Sequence, residues 1–336
     1  MNLSGKRSSG RGRIGQLLIF FAKLTVSTVL IGFLLSRLSL AEIRLAMGSP
    51  RWGWLLASLI VYGISAFGGA MQWPWILKAT GITAPRREIH RLYFIGLFFN
   101  NFLPANIGGD AYKIVDLGRK EQRPHGVFCA TLLDRLIGLG ALTALGVLVL
   151  AVVSLAGITL PDTALLLIPV LVLLTAVLAF LLSRRIGSQL PGLFRRLKMV
   201  KLAEQLGKIT IEFGYYRPKV RWLSGIFLFS LMVQILRLAT HLLVALGLGF
   251  SLSLEQALQL LVLIPMLAIS LTLPVTINGI GLRESVSANL LTWAGLAAGQ
   301  AVAMEVAAYL VQVVFSLQGG VLLWLGGWGR STKGGN

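Results

Sequence analysis

The sequence predicts an all-α polytopic membrane protein of inverted-repeat architecture, with about six full spans and two re-entrant helical hairpins, or else eight spans. Three observations predict it. Hydrophobic residues make up 56% of the chain, charged residues only 13%, and the mean hydropathy is +0.80, which excludes an ordinary soluble domain. Apolar runs of roughly 20 residues, the length a helix needs to cross hydrocarbon, recur along the chain. Finally, Leu103-Pro-Ala-Asn-Ile-Gly-Gly109 returns as Leu273-Pro-Val-Thr-Ile-Asn-Gly279, and the same offset of 170 carries Trp52 onto Trp222 and Lys113 onto Arg283. A half-length repeat with matching breaks in apolar segments marks inverted-repeat membrane proteins, and the breaks point to the binding site.

Residues 1–13 are polar and basic and read as a disordered cytoplasmic terminus. A single membrane domain follows over 14–328, in halves of about 14–183 and 184–328, with a tail at 329–336. Full spans are expected at 14–36, 52–77, 127–153, 163–183, 222–247 and 301–328. The first could be a signal peptide cut near Ser39-Leu40-Ala41, but its apolar run is long and contains Lys23, which favours an uncleaved helix. Segments 88–118 and 255–297 are apolar but interrupted by the repeated Leu-Pro motif, and each reads as a hairpin of two half-helices. The alternative for the second is a pair of complete spans. Residues 184–221 form a basic, partly amphipathic connector, either lying on anionic lipid headgroups or solvated as a linker.

Charge orients the chain. With the amino terminus inside, the outer loops hold only Arg37, Arg44 and Arg51. Lys23, Arg135, Arg237 and Arg283 fall within membrane segments, and every other basic residue is cytoplasmic. Both termini are therefore expected inside. Trp52, Trp54, Trp73, Trp75, Trp222, Trp324 and Trp328 lie near span ends, where indole suits the interface. The net charge of +19 is read as this cytoplasmic face and not as a nucleic-acid surface.

The chemistry concentrates at the breaks. The first groups Asn100, Asn101, Asn106, Gly108, Gly109, Asp110 and Lys113, so that Asn106 or Asp110 can cap the returning half-helix and leave backbone N–H groups to meet an anion. The second has Asn278 and Gly281, then Arg283 and Glu284; the guanidinium fork suits phosphate or carboxylate, and Glu284 would position it. Asp134 and Arg135 lie inside the third span, and the repeat offset sets Glu305 opposite Arg135. Gln234, Arg237 and His241 share one helical face, and an arginine at that depth requires a counter-charge or an anionic ligand. The competing reading of each is structural: a cap at the interface, or an internal ion pair. Cys129 is the single cysteine, and three scattered histidines have no ligand spacing, so neither a disulfide framework nor a metal or other cofactor is expected. No hydrolytic triad, phosphate-binding loop or dinucleotide fingerprint is present in the sequence.

Asn100-Asn-Phe-Leu-Pro-Ala-Asn-Ile-Gly-Gly-Asp110, Leu133-Asp-Arg-Leu-Ile-Gly138 and Leu273-Pro-Val-Thr-Ile-Asn-Gly-Ile-Gly-Leu-Arg-Glu284 resemble the signature segments of the lysylphosphatidylglycerol synthase transmembrane, or flippase-like, family. The resemblance runs from about residue 14 to 328. It implies a helical domain in the cytoplasmic (inner) membrane of a prokaryote that moves or handles an anionic or aminoacylated lipid, with roles for Asn106, Gly108, Gly109, Asp110, Asp134, Arg135, Asn278, Gly281, Arg283 and Glu284. The full-length synthases carry a soluble aminoacyl-transfer domain after the membrane region, and the sequence here ends at Asn336, so lysyl transfer by this chain alone is not expected. The expected function is a lipid translocase whose substrate is a phospholipid or a polyprenyl- or glycolipid. The alternatives are a membrane-embedded transferase using Asp110, Asp134 or Glu305 as base, or a non-catalytic factor serving a separate lipid-modifying enzyme. A homo-oligomer is compatible with all three.

Overall fold

In the computed structural model the described residues are 50–102, 108–183, 194–195, 199–272 and 282–326. They are predominantly helical: α1 (Trp52–Ala79), α2 (Arg86–Phe102), α3 (Gly108–Lys120), α4 (Pro124–Leu155), α5 (Leu167–Leu182), α6 (Val200–Gly214), α7 (Val220–Gly247), α8 (Leu254–Thr272), α9 (Leu282–Leu290) and α10 (Ala298–Gly326). Five of the expected spans are recovered in α1, α4, α5, α7 and α10. The sixth, 14–36, and Lys23 lie outside the described residues.

Composition sets the inside and the outside. Leu148, Val172, Leu173, Leu228 and Met232 are exposed, while Gln72, Asp110, Lys113, Gln234 and Glu305 are buried. That distribution suits a chain whose outer solvent is lipid. The ends of α1 and α7 are set by local chemistry. Gly81 and Gly249 have φ of 83° and 89°, and the residues after them close the helices with Ile82 N–H to Leu77 O (3.3 Å) and Phe250 N–H to Ala245 O (3.0 Å).

The repeat holds at the level of elements. Phe102 and Lys120 end α2 and α3, and the offset carries them onto Thr272 and Leu290, which end α8 and α9. Helix pairing follows the same correspondence: α2 packs on α10 as α8 packs on α4, and α3 packs on α4 as α9 packs on α10. The corresponding helices α1 and α7 pack on each other in opposite directions. Arg51, before α1, donates to Gly247 O at the end of α7 (2.9 Å), and Lys219, before α7, donates to Ala79 O at the end of α1 (2.5 Å). Tyr216 OH to Ile76 O (3.3 Å) and the Trp75–Phe229 ring contact (4.9 Å) fall in the same antiparallel register. Two equivalent helices that run antiparallel place the halves in inverted relation.

The interrupted segments differ from one another. In the first, α2 has 17 residues and α3 has 13. In the second, α8 has 19 residues and is long and apolar enough to span, whereas α9 has 9. The second segment is therefore a long limb and a short one, in place of two equal half-helices. The breaks themselves, with Asn106, Asn278 and Gly281, lie outside the described residues.

Candidate functional site

A cavity of about 560 Å³ opens between α1, α2, α3, α4, α7, α8, α9 and α10. Its size lies within the usual range for small-ligand sites. One wall is apolar, formed by Leu136, Leu139, Leu142, Ile264, Leu267 and Leu271. The other carries charge.

On the first-half side, Asp110 of α3 receives Lys113 Nζ at 2.7 Å and is also paired with Arg135 Nε of α4. Lys113 sits over the Trp73 ring at 4.9 Å and the Tyr93 ring at 5.3 Å, so its charge has aromatic faces as well as a carboxylate. Asp134 accepts a hydrogen bond from Gln72 Nε2 at 2.7 Å. The first turn of α3 is capped from α2: Gly109 N–H donates to Asn100 Oδ1 at 2.8 Å. Asp110, expected as a candidate cap, is instead committed to the two cations.

On the second-half side, Glu305 of α10 is fully buried and accepts Arg283 Nη1 at 3.0 Å, and His241 Nε2 of α7 stands 3.2 Å away. Arg283 also covers the Tyr309 ring at 4.6 Å, and Tyr309 OH donates to the Asn101 carbonyl at 2.7 Å. The two sides mirror one another with a change of sign. Arg135 and Glu305 occupy equivalent positions on equivalent helices, and each is held by an ion pair to the short limb beside it.

Between these clusters lies Arg237 of α7, one turn before His241. Gln234, on the same face, is tied to Gly138 O at 2.9 Å. Arg237 makes no ion pair with any described residue, and its buried Nε has no hydrogen-bond partner among them. Arg237 is half-buried, with Asp134 on the same cavity but beyond ion-pair distance, and a guanidinium partly withdrawn from water is costly unless an anion meets it.

Of the residues expected from the sequence, Asn101, Asp110, Lys113, Asp134, Arg135, Arg237, His241 and Arg283 come together on this cavity. Glu305 sits behind Arg283 and His241, and it, not the adjacent Glu284, is the carboxylate described on Arg283; Glu284 is half-buried and off the cavity wall. Gly109 serves close approach: a Cβ there would lie 1.8 Å from Gly96 O, so α3 meets α2 backbone to backbone. Gly108, beside it, is partly exposed and does not line the cavity. Sequence reasoning missed Gln72, Tyr93 and Tyr309 as site residues. Gln72 carried a signal, being an amide inside an apolar span; the tyrosines carried none, since tyrosine is ordinary in such a helix. Among the described residues, no group of three or more His, Cys, Asp or Glu is placed to hold a metal ion.

The family described as the lysylphosphatidylglycerol synthase TM region matches residues 20–320. No curated protein and no solved structure shows a significant match.

Proposed function

Since the chain belongs to the lysylphosphatidylglycerol synthase TM-region family, we propose that it is a lipid translocase that holds an anionic or modified headgroup in the central cavity. The headgroup phosphate meets Arg237, with Arg283 and Arg135 as the flanking positive charge, and the acyl or prenyl chains leave along the apolar wall into the bilayer. The two interrupted segments act as re-entrant elements that line the path, and the inverted relation of the halves supplies two symmetry-related openings. The protein sits in the cytoplasmic membrane with both termini inside.

One observation carries this reading: a cavity with polar and apolar walls contains a guanidinium with no carboxylate within ion-pair distance among the described residues, while Lys113, Arg135 and Arg283 each have one. Purified protein in liposomes containing fluorophore-labelled phosphatidylglycerol tests it, with outer-leaflet quenching reporting transbilayer movement. Arg237→Ala and Arg283→Lys are expected to slow movement at least about tenfold, the loss of one charge-assisted contact of roughly 1.5–3 kcal/mol. Wild-type rates in both variants at equal incorporation reject the proposal.

A further inference from the structure

His241 and Glu305 are placed so that their contact is favourable when it contains a proton. His241 Nδ1 lies 3.0 Å from the Arg237 backbone carbonyl, which can only accept, so Nδ1 carries hydrogen. The other ring nitrogen, Nε2, stands 3.2 Å from Glu305 Oε1, within ion-pair distance though outside hydrogen-bond geometry, and that buried oxygen has no hydrogen-bond partner among the described residues. With Nδ1 already protonated, a neutral ring would turn its lone pair toward a carboxylate oxygen. The contact is attractive only when one further proton lies on it, on the imidazole or on the carboxyl. Glu305 is fully buried, and no water surface competes for that proton. His241 lines the cavity and gives the proton a route in and out.

We propose that His241 and Glu305 form a proton-binding site that couples headgroup capture in the cavity to proton uptake. This rests on the translocase reading above and adds its energy coupling. The charges facing the pair are few. Arg283 comes from α9, with Glu284 beside it; Arg237 precedes His241 on α7; Asp110, Lys113, Asp134 and Arg135 stand on the opposite wall. Helices α1, α2 and α8 present Tyr62, Gln72, Tyr93, Asn100, Asn101, Thr272 and apolar side chains to the cavity, and no charge. When the pair holds its proton, Arg283, His241 and Glu305 together carry one positive charge; without it they carry none. An anion arriving at Arg237, one helical turn from His241, therefore favours the protonated state, and by reciprocity the protonated state binds the anion more tightly. Affinity rises as pH falls through the titration of the pair and is lost as pH rises through it. No bond other than N–H or O–H is made or broken, and the proton comes from and returns to water in the cavity.

The equivalent positions of the first half carry no counterpart. The offset places Met71 where His241 stands and Arg135 where Glu305 stands. The site is confined to one half, so proton coupling acts on one of the two symmetry-related routes.

The test uses the full chain in detergent and isothermal calorimetry with a short-chain phosphatidylglycerol, repeated in two buffers of different ionisation enthalpy across pH 5–9. Inorganic sulfate, which does not titrate across this range, serves as a second ligand. Uptake approaching one proton per bound headgroup within one pH window is expected, with affinity changing up to about tenfold per pH unit there. His241→Gln and Glu305→Gln are expected to abolish the uptake in whichever variant still binds. The wild-type measurement stands on its own if both variants misfold. Binding with no proton change at any pH overturns the proton site and leaves the translocase reading intact. Failure of wild-type protein to bind the lipid at any pH overturns both. Uptake on binding sulfate but not lipid keeps the proton site and removes its link to lipid.

Discussion

Replacing Gly109 by alanine probes the interrupted segment at its tightest point. The added methyl would lie 1.8 Å from Gly96 O, 2.5 Å from Gly96 C and 2.8 Å from Asn100 Oδ1. The first two atoms are backbone and cannot rotate away. Reaching even 3.0 Å requires α3 to retreat from α2 by about 1.2 Å. That retreat breaks the Gly109 N–H bond to Asn100, worth roughly 1 kcal/mol, and adds overpacking strain of about 1–3 kcal/mol. It also draws Asp110 away from Arg135 and Lys113 off the Trp73 face. A total of roughly 2–4 kcal/mol is expected, read as a fall in the thermal midpoint on the order of 5 °C in detergent. Gly225→Ala is the control, because Gly225 lies on an exposed face of α7 with nothing within 4 Å of its added carbon. If Gly109→Ala and Gly225→Ala melt within a degree of each other, the backbone-to-backbone approach of α2 and α3 is wrong.

Gln72→Leu removes the amide that donates to buried Asp134 and is expected to destabilise by about 1–3 kcal/mol, measured by chemical unfolding; Gln72→Glu is expected to be worse, since it sets two carboxylates together. Arg123 bonds Thr80 O at 2.8 Å and Glu212 at 2.7 Å, so Arg123→Ala is expected to speed amide hydrogen exchange in α6 while leaving α4 and α7 protected. Cys129 is fully buried, and maleimide is expected to label it only after unfolding; labelling in the native state contradicts the packing around it. Tyr309→Phe deletes the hydroxyl held by Asn101 O at 2.7 Å and is expected to cost about 1 kcal/mol while sparing the Arg283 ring contact, as a melting comparison with Tyr309→Ala would show.

The spans were legible because lipid imposes a length and an apolar composition on each crossing helix, and α1, α4, α5, α7 and α10 obey both. The repeat was legible because the two breaks kept the same Leu-Pro spacing, and it brought Arg135 and Glu305 into equivalent places before any coordinate did. Pairing was less legible. Arg283 has a carboxylate next to it in the chain, yet the one that holds it is 22 residues away on another helix, since neighbours on a helix point in different directions. Capping was only partly legible: Asn106 lies outside the described residues and Asp110 is held by two cations, while Asn100 reaches the first turn of α3 from the facing helix. The unequal limbs of the second interrupted segment could not be separated by apolarity alone, because 255–297 is apolar throughout much of its length.

Phe94 O would stand 2.0 Å from a side-chain carbon at Gly319, as Gly96 O stands against Gly109. Three helices are thus clamped main chain to main chain, two from the front of the sequence and one from its far end. By contrast, Gly68 meets α7 through the Val233 side chain and not through main chain. The pieces locked together in this way are composites of distant sequence, and a polypeptide cut in its middle would still be stitched together across the cut.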